Sequence, residues 1–332
     1  MAADHVEGGV QGPHRHGRPR RDLAGPRQVL AESVHVRSHP TRVDQTFEAA
    51  WLISSSRRSV DQPIKGALMR SAVVTPEDDR IRWVELPGEE PARVYVHGLG
   101  STSPAYFAAS AVHPLLAGRR SLLVDLLGHG HSDRPEGFPY TLEAHADTLA
   151  AALDAAGATG VELIAHSMGG AVAIVLAHRH PRLVSRLVLV DANLDPVPVV
   201  PRTAGSSGIA SYTEEEFLAG GWAEVRDRIG AHWWSTMRLA DRTALHRTAV
   251  HLAAGTTPTM RELLLELKIP RTYLLPAADG PLAGSEALQA AGVSVVPVPD
   301  CGHNIMLDNP EAFARTTAAA LARDQGGQDW AV

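Results

Sequence analysis

Residues 161–170 carry the strongest chemical signal in the chain, a serine flanked by small residues at a predicted strand-to-helix turn. An apolar run suited to a short strand precedes Ser167, and a stretch rich in Ala, Val, Ile and Leu follows it. The spacing Ala-His-Ser-Met-Gly at 165–169 matches the nucleophile elbow Gly-x-Ser-x-Gly, with Ala165 as the first small residue. Such a turn exposes the serine hydroxyl above the sheet and points the N–H of the next residue, Met168, toward an oxyanion. The spacing therefore predicts nucleophilic chemistry at Ser167.

Predicted strands and helices alternate from Met69 onward, which is the pattern of an α/β protein. The strands are predicted at 81–86, 92–97, 121–125, 161–165, 187–190, 271–275 and 293–298. Helices are predicted at 140–156, with Thr141 as its N-cap, and at about 310–323. The continuous apolar run at 187–190 is typical of a strand buried in a parallel sheet. We expect a mostly parallel central sheet with helices on both faces.

Four motifs, in a fixed order along the chain, resemble those of the α/β-hydrolase superfamily, in particular its capped, single-domain members. They are His-Gly-Leu-Gly-Ser at 97–101, a glycine-rich loop at 125–135, the serine turn at 165–169 and Gly-His-x-x-x-x-Asp-x-Pro at 302–310. The resemblance covers residues from about 70 to 322 and implies the α/β-hydrolase fold. It also implies hydrolysis at a serine.

The resemblance implies a role for several residues around Ser167. His303 would be the general base that activates the serine and then the general acid for the leaving group. The backbone N–H groups of Leu99 and Met168 would form the oxyanion hole. His97 is interpreted as structural. His166 is adjacent to Ser167 in sequence, but adjacent side chains diverge on a sharp turn, so it is interpreted as a packing residue rather than the base that a serine needs.

The acid that orients His303 has more than one candidate. The usual order of nucleophile, acid and histidine favours Asp279, which follows the strand at 271–275. Pro276 stands there where the family usually has a glycine. Some members carry the acid one strand earlier, where Asp191 and Asp195 follow the strand at 187–190. We predict Asp279 as the acid and keep Asp195 as the first alternative.

The alternation of strands and helices stops between residues 195 and 269, where the pattern predicts helices at 213–229, 233–254 and 259–267. We interpret 195–269 as a helical cap inserted between two parts of the core, 69–194 and 270–325. Three tryptophans of this cap, Trp222, Trp233 and Trp234, are predicted to contact a partly apolar substrate. The alternative is that they pack between helices.

Residues 1–68 are basic and lack periodic hydrophobicity, which predicts a disordered extension, or a start site that really lies at Met69. The 332-residue chain has a net charge of −6, which argues against nucleic acid as a partner. No apolar run is long enough to cross a membrane. Cys301 is the single cysteine, so no intrachain disulfide can form, and we expect a cytoplasmic protein.

A serine at position 167 favours acyl transfer through an acyl-enzyme, and hydrolysis of a carboxylic ester is the leading prediction. Lactone, amide, thioester and carbon–carbon bond hydrolysis use the same groups and remain open, as do perhydrolysis and a non-enzymatic ligand-binding role. No clustered His, Cys or Asp spacing suggests a metal site, and no cofactor motif is present, so none is predicted. The predicted partner is a small molecule.

Overall fold

Eight strands form one sheet in a computed structural model of the chain, which describes residues 66–322. They are β1 (Leu68–Val73), β2 (Arg80–Leu86), β3 (Glu89–Val96), β4 (Arg119–Asp125), β5 (Val161–His166), β6 (Val184–Val190), β7 (Arg271–Pro276) and β8 (Val293–Val298). Their spatial order is β1-β2-β4-β3-β5-β6-β7-β8. Strand β2 is antiparallel to both of its neighbours, and β4, β3 and β5–β8 pair in parallel. The predicted mostly parallel sheet is confirmed.

Helices cover both faces of this sheet. The segment predicted as a helical cap, 195–269, is called the insertion below. The helices outside it are α1 (Ser103–Ala111), α2 (Leu142–Ala155), α3 (Met168–Arg179), α10 (Ser285–Ala290), α11 (Ile305–Asp308) and α12 (Pro310–Ala322). Alternate side chains of β3 enter different cores: Val94 and Val96 pack in the cluster that holds α2 and α3, whereas Tyr95 packs with α1 and α12. This alternation follows from the two-residue period of a strand, which sends successive side chains to opposite faces.

Short helices fill the long connection between β6 and β7. They are α4 (Gly205–Ile209), α5 (Glu214–Glu216), α6 (Trp222–Arg228), α7 (Ala231–Met237), α8 (Arg242–Ala254) and α9 (Met260–Glu266). The helix predicted at 213–229 is present but contains a π-helical turn at Phe217–Gly221. The prediction of a single helix at 233–254 is wrong, because α7 ends at Met237 and a separate helix, α8, begins at Arg242. The Asp241 side chain caps α8 by accepting from the Ala244 N–H.

Side chains cap the starts of two helices, and the first of these caps, at Thr141, was predicted from the sequence. The Thr141 side chain accepts from the Ala144 N–H at the start of α2. Thr213 and Glu216 form a reciprocal capping box at the start of α5. Both caps supply acceptors for N–H groups that the first helical turn cannot pair internally, so these helix starts can be read from local sequence.

The extension predicted over 1–68 lies outside the described residues, apart from its last three positions. Leu68 already pairs with β2 as the first residue of β1, a strand that the sequence pattern did not predict. The boundaries of core and cap at 195–269 stay a prediction, although α4–α9 all fall between those limits. Within residues 66–322, no helix combines the length and apolar character needed to cross a bilayer.

Candidate active site

The turn between β5 and α3 presents Ser167 in a backbone conformation that few residues other than glycine adopt, with φ of 51° and ψ of −121°. Close packing on both sides explains the small residues that follow the serine. A Cβ at Gly169 would lie 2.4 Å from the His97 carbonyl oxygen, and one at Gly170 would lie 2.3 Å from the Cβ of Ala192. The turn therefore holds Ser167 at the carboxyl ends of the parallel strands, where strain is typical of functional positions.

His303 contacts both the serine and a carboxylate. The loop between β8 and α11 carries His303, whose Nε2 lies 3.1 Å from Ser167 Oγ. Its Nδ1 lies 2.6 Å from Oδ2 of Asp191, the residue directly after β6. The imidazole is 53% exposed, whereas the Asp191 side chain is 22% exposed. This chain of contacts can move a proton from Ser167 to His303 while the carboxylate stabilises the imidazolium.

The prediction that Asp279 orients His303 is wrong. Asp279 lies on an exposed 3₁₀ turn three residues beyond the end of β7, and no side chain or N–H group within residues 66–322 donates to its carboxylate. Strand β6 is the immediate neighbour of β5, which carries Ser167, whereas β7 is one strand further away. Neighbouring strands are spaced about 4.8 Å apart, so a carboxylate that directly follows β6 reaches the imidazole with less chain.

Asp195, the first alternative for the acid, forms an ion pair with Arg261 instead of contacting His303. Its two carboxylate oxygens accept from Nε and Nη2 of Arg261 on α9, at distances of 2.7–3.1 Å. The ion pair raises the pKa of the Arg261 guanidinium, with its hydrogen bond to Asp195 as the largest cause. Such fork-like pairing ties the insertion to the segment after β6 and gives Asp195 a structural contact.

His166 contacts the loop that carries His303 and is not placed to act as the base for Ser167. Its Nε2 lies 2.9 Å from the His303 carbonyl oxygen, and because a carbonyl only accepts, Nε2 must carry the proton. Burial lowers the pKa of His166 well below its usual range, with a further contribution from the charge of His303. His166 is therefore neutral, and the predicted packing role fits its contacts.

Leu99 occupies a tight turn against the serine. The Ser101 N–H donates to the Gly98 carbonyl at 3.1 Å, and Gly100 has φ of +66°. A Cβ at Gly98 would lie 3.1 Å from the Cβ of Ser167, so the turn and the nucleophile are in close contact. Met168 is the first residue of α3, where an N–H has no acceptor within the helix. Both predicted oxyanion donors thus belong to segments that border Ser167.

Three buried histidines, His97, His129 and His145, form a row beside this turn, which we call the buried histidine row. Successive ring centroids are 5.1 Å and 6.3 Å apart. His97 donates from Nδ1 to the Gly98 carbonyl and accepts from the Leu126 N–H at Nε2, which defines a neutral ring. Burial lowers the pKa of His97 to about 4 and that of His129 to about 3, and lowers the pKa of His145 well below its usual range.

The glycine-rich loop after β4 is stabilised by two of its own side chains, Asp125 and Ser132. Asp125 accepts from the Ser103 N–H at 2.8 Å and from the His131 N–H at 3.0 Å. Ser132 donates to the Asp125 carbonyl and accepts from the N–H of Arg82 on β2. The loop therefore closes on itself and on the sheet, and its side chains do not line the cavity described next.

A cavity of about 440 Å³ opens over Ser167 and is lined from both the core and the insertion. Its lining consists of Gly98, Leu99, Ser101, Tyr106, His166, Ser167, Asn193, Val197, Ala204, Gly205, Ser206, Ser207, Trp233, Leu252, His303 and Asn304. Of the three predicted tryptophans only Trp233 takes part, because Trp222 and Trp234 pack on each other with ring centroids 5.4 Å apart. Trp222 is buried between helices, which is the alternative that the sequence left open.

Asn193 is a site residue that sequence reasoning missed. Its Oδ1 lies 3.4 Å from Ser167 Oγ, and its N–H lies 3.4 Å from the Ser167 carbonyl oxygen. The available signal was its position two residues after Asp191, in the segment that follows the strand next to β5. Within residues 66–322, no group of three or more His, Cys, Asp or Glu side chains is placed to hold a metal ion.

Comparison with known proteins agrees with this architecture. A family model described as alpha/beta hydrolase fold matches residues 94–291. The chain is 38% identical over 118 residues to 2-hydroxymuconate semialdehyde hydrolase of Pseudomonas sp., covering 35% of this chain and 41% of that protein. It is 36% identical over 126 residues to sn-1-specific diacylglycerol lipase of Mus musculus, covering 38% of this chain and 40% of that protein. The chain thus spans about two fifths of the length of these curated relatives.

A solved structure extends the similarity of fold over a longer part of the chain. The esterase from Exiguobacterium antarcticum superposes with a TM-score of 0.63, at 20% identity, and covers 76% of this chain and 98% of that one. Identity at this level is evidence for a shared fold, and a shared fold does not determine the reaction.

Proposed function

Since the chain belongs to the alpha/beta hydrolase fold family, we propose that it is a serine hydrolase that cleaves a carboxylic ester through an acyl-enzyme. The observation that carries this proposal is the continuous contact from Ser167 Oγ through both ring nitrogens of His303 to Asp191. A hydroxyl, an imidazole and a carboxylate in this order are the parts needed to generate and protect an alkoxide-like nucleophile.

The first half of the reaction transfers the acyl group to the serine. Ser167 Oγ attacks the ester carbonyl while His303 Nε2 takes its proton, and Asp191 stabilises the imidazolium. The carbonyl π electrons move to oxygen, and the oxyanion is held by the N–H groups of Leu99 and Met168. The tetrahedral intermediate collapses by breaking the bond to the alkoxy group, which leaves as an alcohol with the proton from His303.

The second half releases the acid and restores the enzyme. His303 takes a proton from water as the water oxygen attacks the acyl-enzyme carbonyl, and the same N–H groups stabilise the second oxyanion. Breaking the bond to Ser167 Oγ releases the carboxylic acid, while the proton on His303 returns to the serine. No group outside the chain other than water is required.

The character of the cavity supports a neutral, partly apolar substrate. No Lys, Arg, Asp or Glu side chain belongs to the lining described above, which combines aromatic and aliphatic groups with neutral amides and hydroxyls. Burying a carboxylate there would leave its charge without a cationic partner, which is strongly unfavourable. The volume of the cavity, about 440 Å³, suits a small to medium acyl group.

Hydrolysis of a carbon–carbon bond is the second candidate, and the similarity to 2-hydroxymuconate semialdehyde hydrolase favours it. The same serine, histidine and carboxylate could act on a ketone rather than on an ester. A muconate semialdehyde carries a carboxylate, however, and the uncharged lining offers no cation to pair with it. We therefore rank carbon–carbon bond hydrolysis after ester hydrolysis.

Hydrolysis of p-nitrophenyl esters from acetate to decanoate by the full-length chain and by Ser167→Ala tests the proposal. We expect turnover in the wild type, an optimum at a short or medium acyl chain, and loss of turnover in the variant. Labelling by a fluorophosphonate probe, mapped to Ser167 by mass spectrometry, checks the nucleophile without depending on turnover of an ester.

Two results would contradict ester hydrolysis at Ser167. One is ester turnover that persists in Ser167→Ala at the wild-type rate. The other is a wild type that hydrolyses none of the esters although the probe labels its serine; a parallel assay with a 2-hydroxy-6-oxo-dienoate would then test the second candidate. Absence of both labelling and turnover in a folded protein would favour a ligand-binding role.

A further inference from the structure

We propose that Trp233 is a positioning residue, which holds the turn at Gly98–Ser101 in the conformation that presents the Leu99 N–H to the oxyanion. The proposal rests on the proposed function and adds a residue of the insertion to the catalytic arrangement of the core. Its central observation is a hydrogen bond of 2.9 Å from the indole Nε1–H of Trp233 to the Leu99 carbonyl oxygen.

The conformation of the turn explains why this hydrogen bond matters. The Ser101 N–H to Gly98 carbonyl bond closes a four-residue turn with Leu99 and Gly100 in its centre. A positive φ at Gly100 but not at Leu99 identifies it as type II. Type I and type II turns differ mainly by a flip of the central peptide, which here contains the Leu99 carbonyl. An indole that binds this carbonyl therefore favours one of the two conformers and anchors Leu99 in the turn. The Leu99 N–H belongs to the preceding peptide, so the indole does not orient it directly but limits its movement by holding Leu99 in place.

Packing around Gly100 shows that the insertion is closely seated on the turn. A Cβ at Gly100 would lie 2.9 Å from Cγ of Met237, 3.1 Å from Nε1 of Trp233 and 3.2 Å from Cδ1 of Leu245. Two of these side chains belong to α7 and the third to α8. The positive φ and the lack of space both favour glycine at this position, and the lack of space results from the contact with α7 and α8.

Trp233 contacts the Leu99 carbonyl and also lines the cavity over Ser167. Its indole N–H is used by the turn, and its ring forms part of the wall that a bound acyl group would touch. Leu99 itself is buried, with 7% of its surface exposed, so water competes little for its carbonyl. A substrate that packs on the ring would therefore also steady the oxyanion donor.

Trp233→Phe is the informative change, because it removes the N–H donor and keeps an aromatic ring. Trp234→Phe is the matched control: Trp234 lies on the same helix, but its ring packs on Trp222 and lies outside the cavity lining. Loss of a complete oxyanion donor lowers kcat by about 100- to 1,000-fold. Because Leu99 would be loosened rather than removed, we expect Trp233→Phe to lower kcat roughly 10-fold, with KM within about threefold. We expect Trp234→Phe to stay within about twofold of wild type.

A second measurement does not depend on turnover. In protein labelled with ¹⁵N, we expect the Leu99 and Gly100 amide resonances to shift or broaden in Trp233→Phe and to keep their positions in Trp234→Phe. A trifluoromethyl ketone, which forms an oxyanion on Ser167, should also bind more weakly to Trp233→Phe by about the same factor as the loss in kcat.

The outcomes separate this proposal from the one on which it rests. Unchanged kcat and unchanged Leu99 resonances in Trp233→Phe would overturn the positioning role, and so would a rise in KM alone, since that indicates only ring contact with the substrate. Equal losses in both tryptophan variants would also overturn it, by pointing to the stability of α7. An inactive wild type would instead refute ester hydrolysis, while the resonances would still decide the contact between Trp233 and the turn.

Discussion

Asp191→Asn is expected to remove most of the catalytic activity while leaving the fold intact. Asparagine has nearly the same shape, so it can fill the space beside His303 without disturbing the packing. It has no negative charge, however, to stabilise an imidazolium, and its amide can donate to Nδ1 and so select the wrong tautomer. The distance from His303 Nδ1 to Asp191 Oδ2 is 2.6 Å, slightly shorter than the range of about 2.7–2.9 Å that is typical of charge-assisted N–H···O bonds.

The expected magnitude follows from the exposure of the two partners. Replacing the acid of a buried serine–histidine–aspartate system lowers kcat by about 10⁴-fold. Asp191 is 22% exposed and His303 is 53% exposed, so water already screens part of their interaction. We therefore expect a loss of about 10³-fold, which corresponds to roughly 4 kcal/mol of transition-state stabilisation.

Steady-state hydrolysis of the best p-nitrophenyl ester is the assay, with Asp279→Asn and Asp195→Asn as matched carboxylate controls. Asp279 accepts no hydrogen bond from the described residues, so its variant should stay within about twofold of wild type. Asp195 is held by Arg261, so its variant should lose some stability but keep its kcat. A large loss in Asp279→Asn combined with near-normal activity in Asp191→Asn would refute the assignment of the acid.

Two further predictions concern the stability of the folded chain. The buried histidine row is neutral in the native state, whereas unfolded histidines bind protons below pH 6.5. The unfolded chain therefore binds more protons, and the free energy of unfolding should fall by roughly 1.4 kcal/mol per pH unit for each histidine below that value, down to about pH 4 for His97. Urea midpoints that stay constant between pH 7.5 and pH 5 would contradict this reasoning. Gly170→Ala should cost about 1–3 kcal/mol and lower kcat, because its Cβ would meet Ala192 at 2.3 Å. Gly220→Ala, where nothing lies within 4 Å, is the matched control, and equal melting temperatures would show that the turn tolerates a methyl group.

Local sequence was sufficient wherever the determining interactions are local. The elbow around Ser167 requires small residues within one turn of the chain, and the caps of α2 and α5 join residues three positions apart. The same is true of β8, whose predicted limits at 293–298 match the structure. Edge strand β1 was not predicted because its side chains are mostly exposed, so its sequence has no alternating apolar pattern. The strand depends instead on pairing with β2.

From the sequence alone, one can determine a mostly parallel α/β sheet, the turn that exposes Ser167 and the loop that carries His303. The choice among three aspartates could not be made that way, since all of them follow strands whose carboxyl ends meet at one edge of the sheet. Strand order decided it by placing Asp191 next to the serine strand and leaving Asp279 one strand further away. Tertiary packing likewise brought Trp233 to Leu99, a contact between residues 134 positions apart that no local pattern encodes.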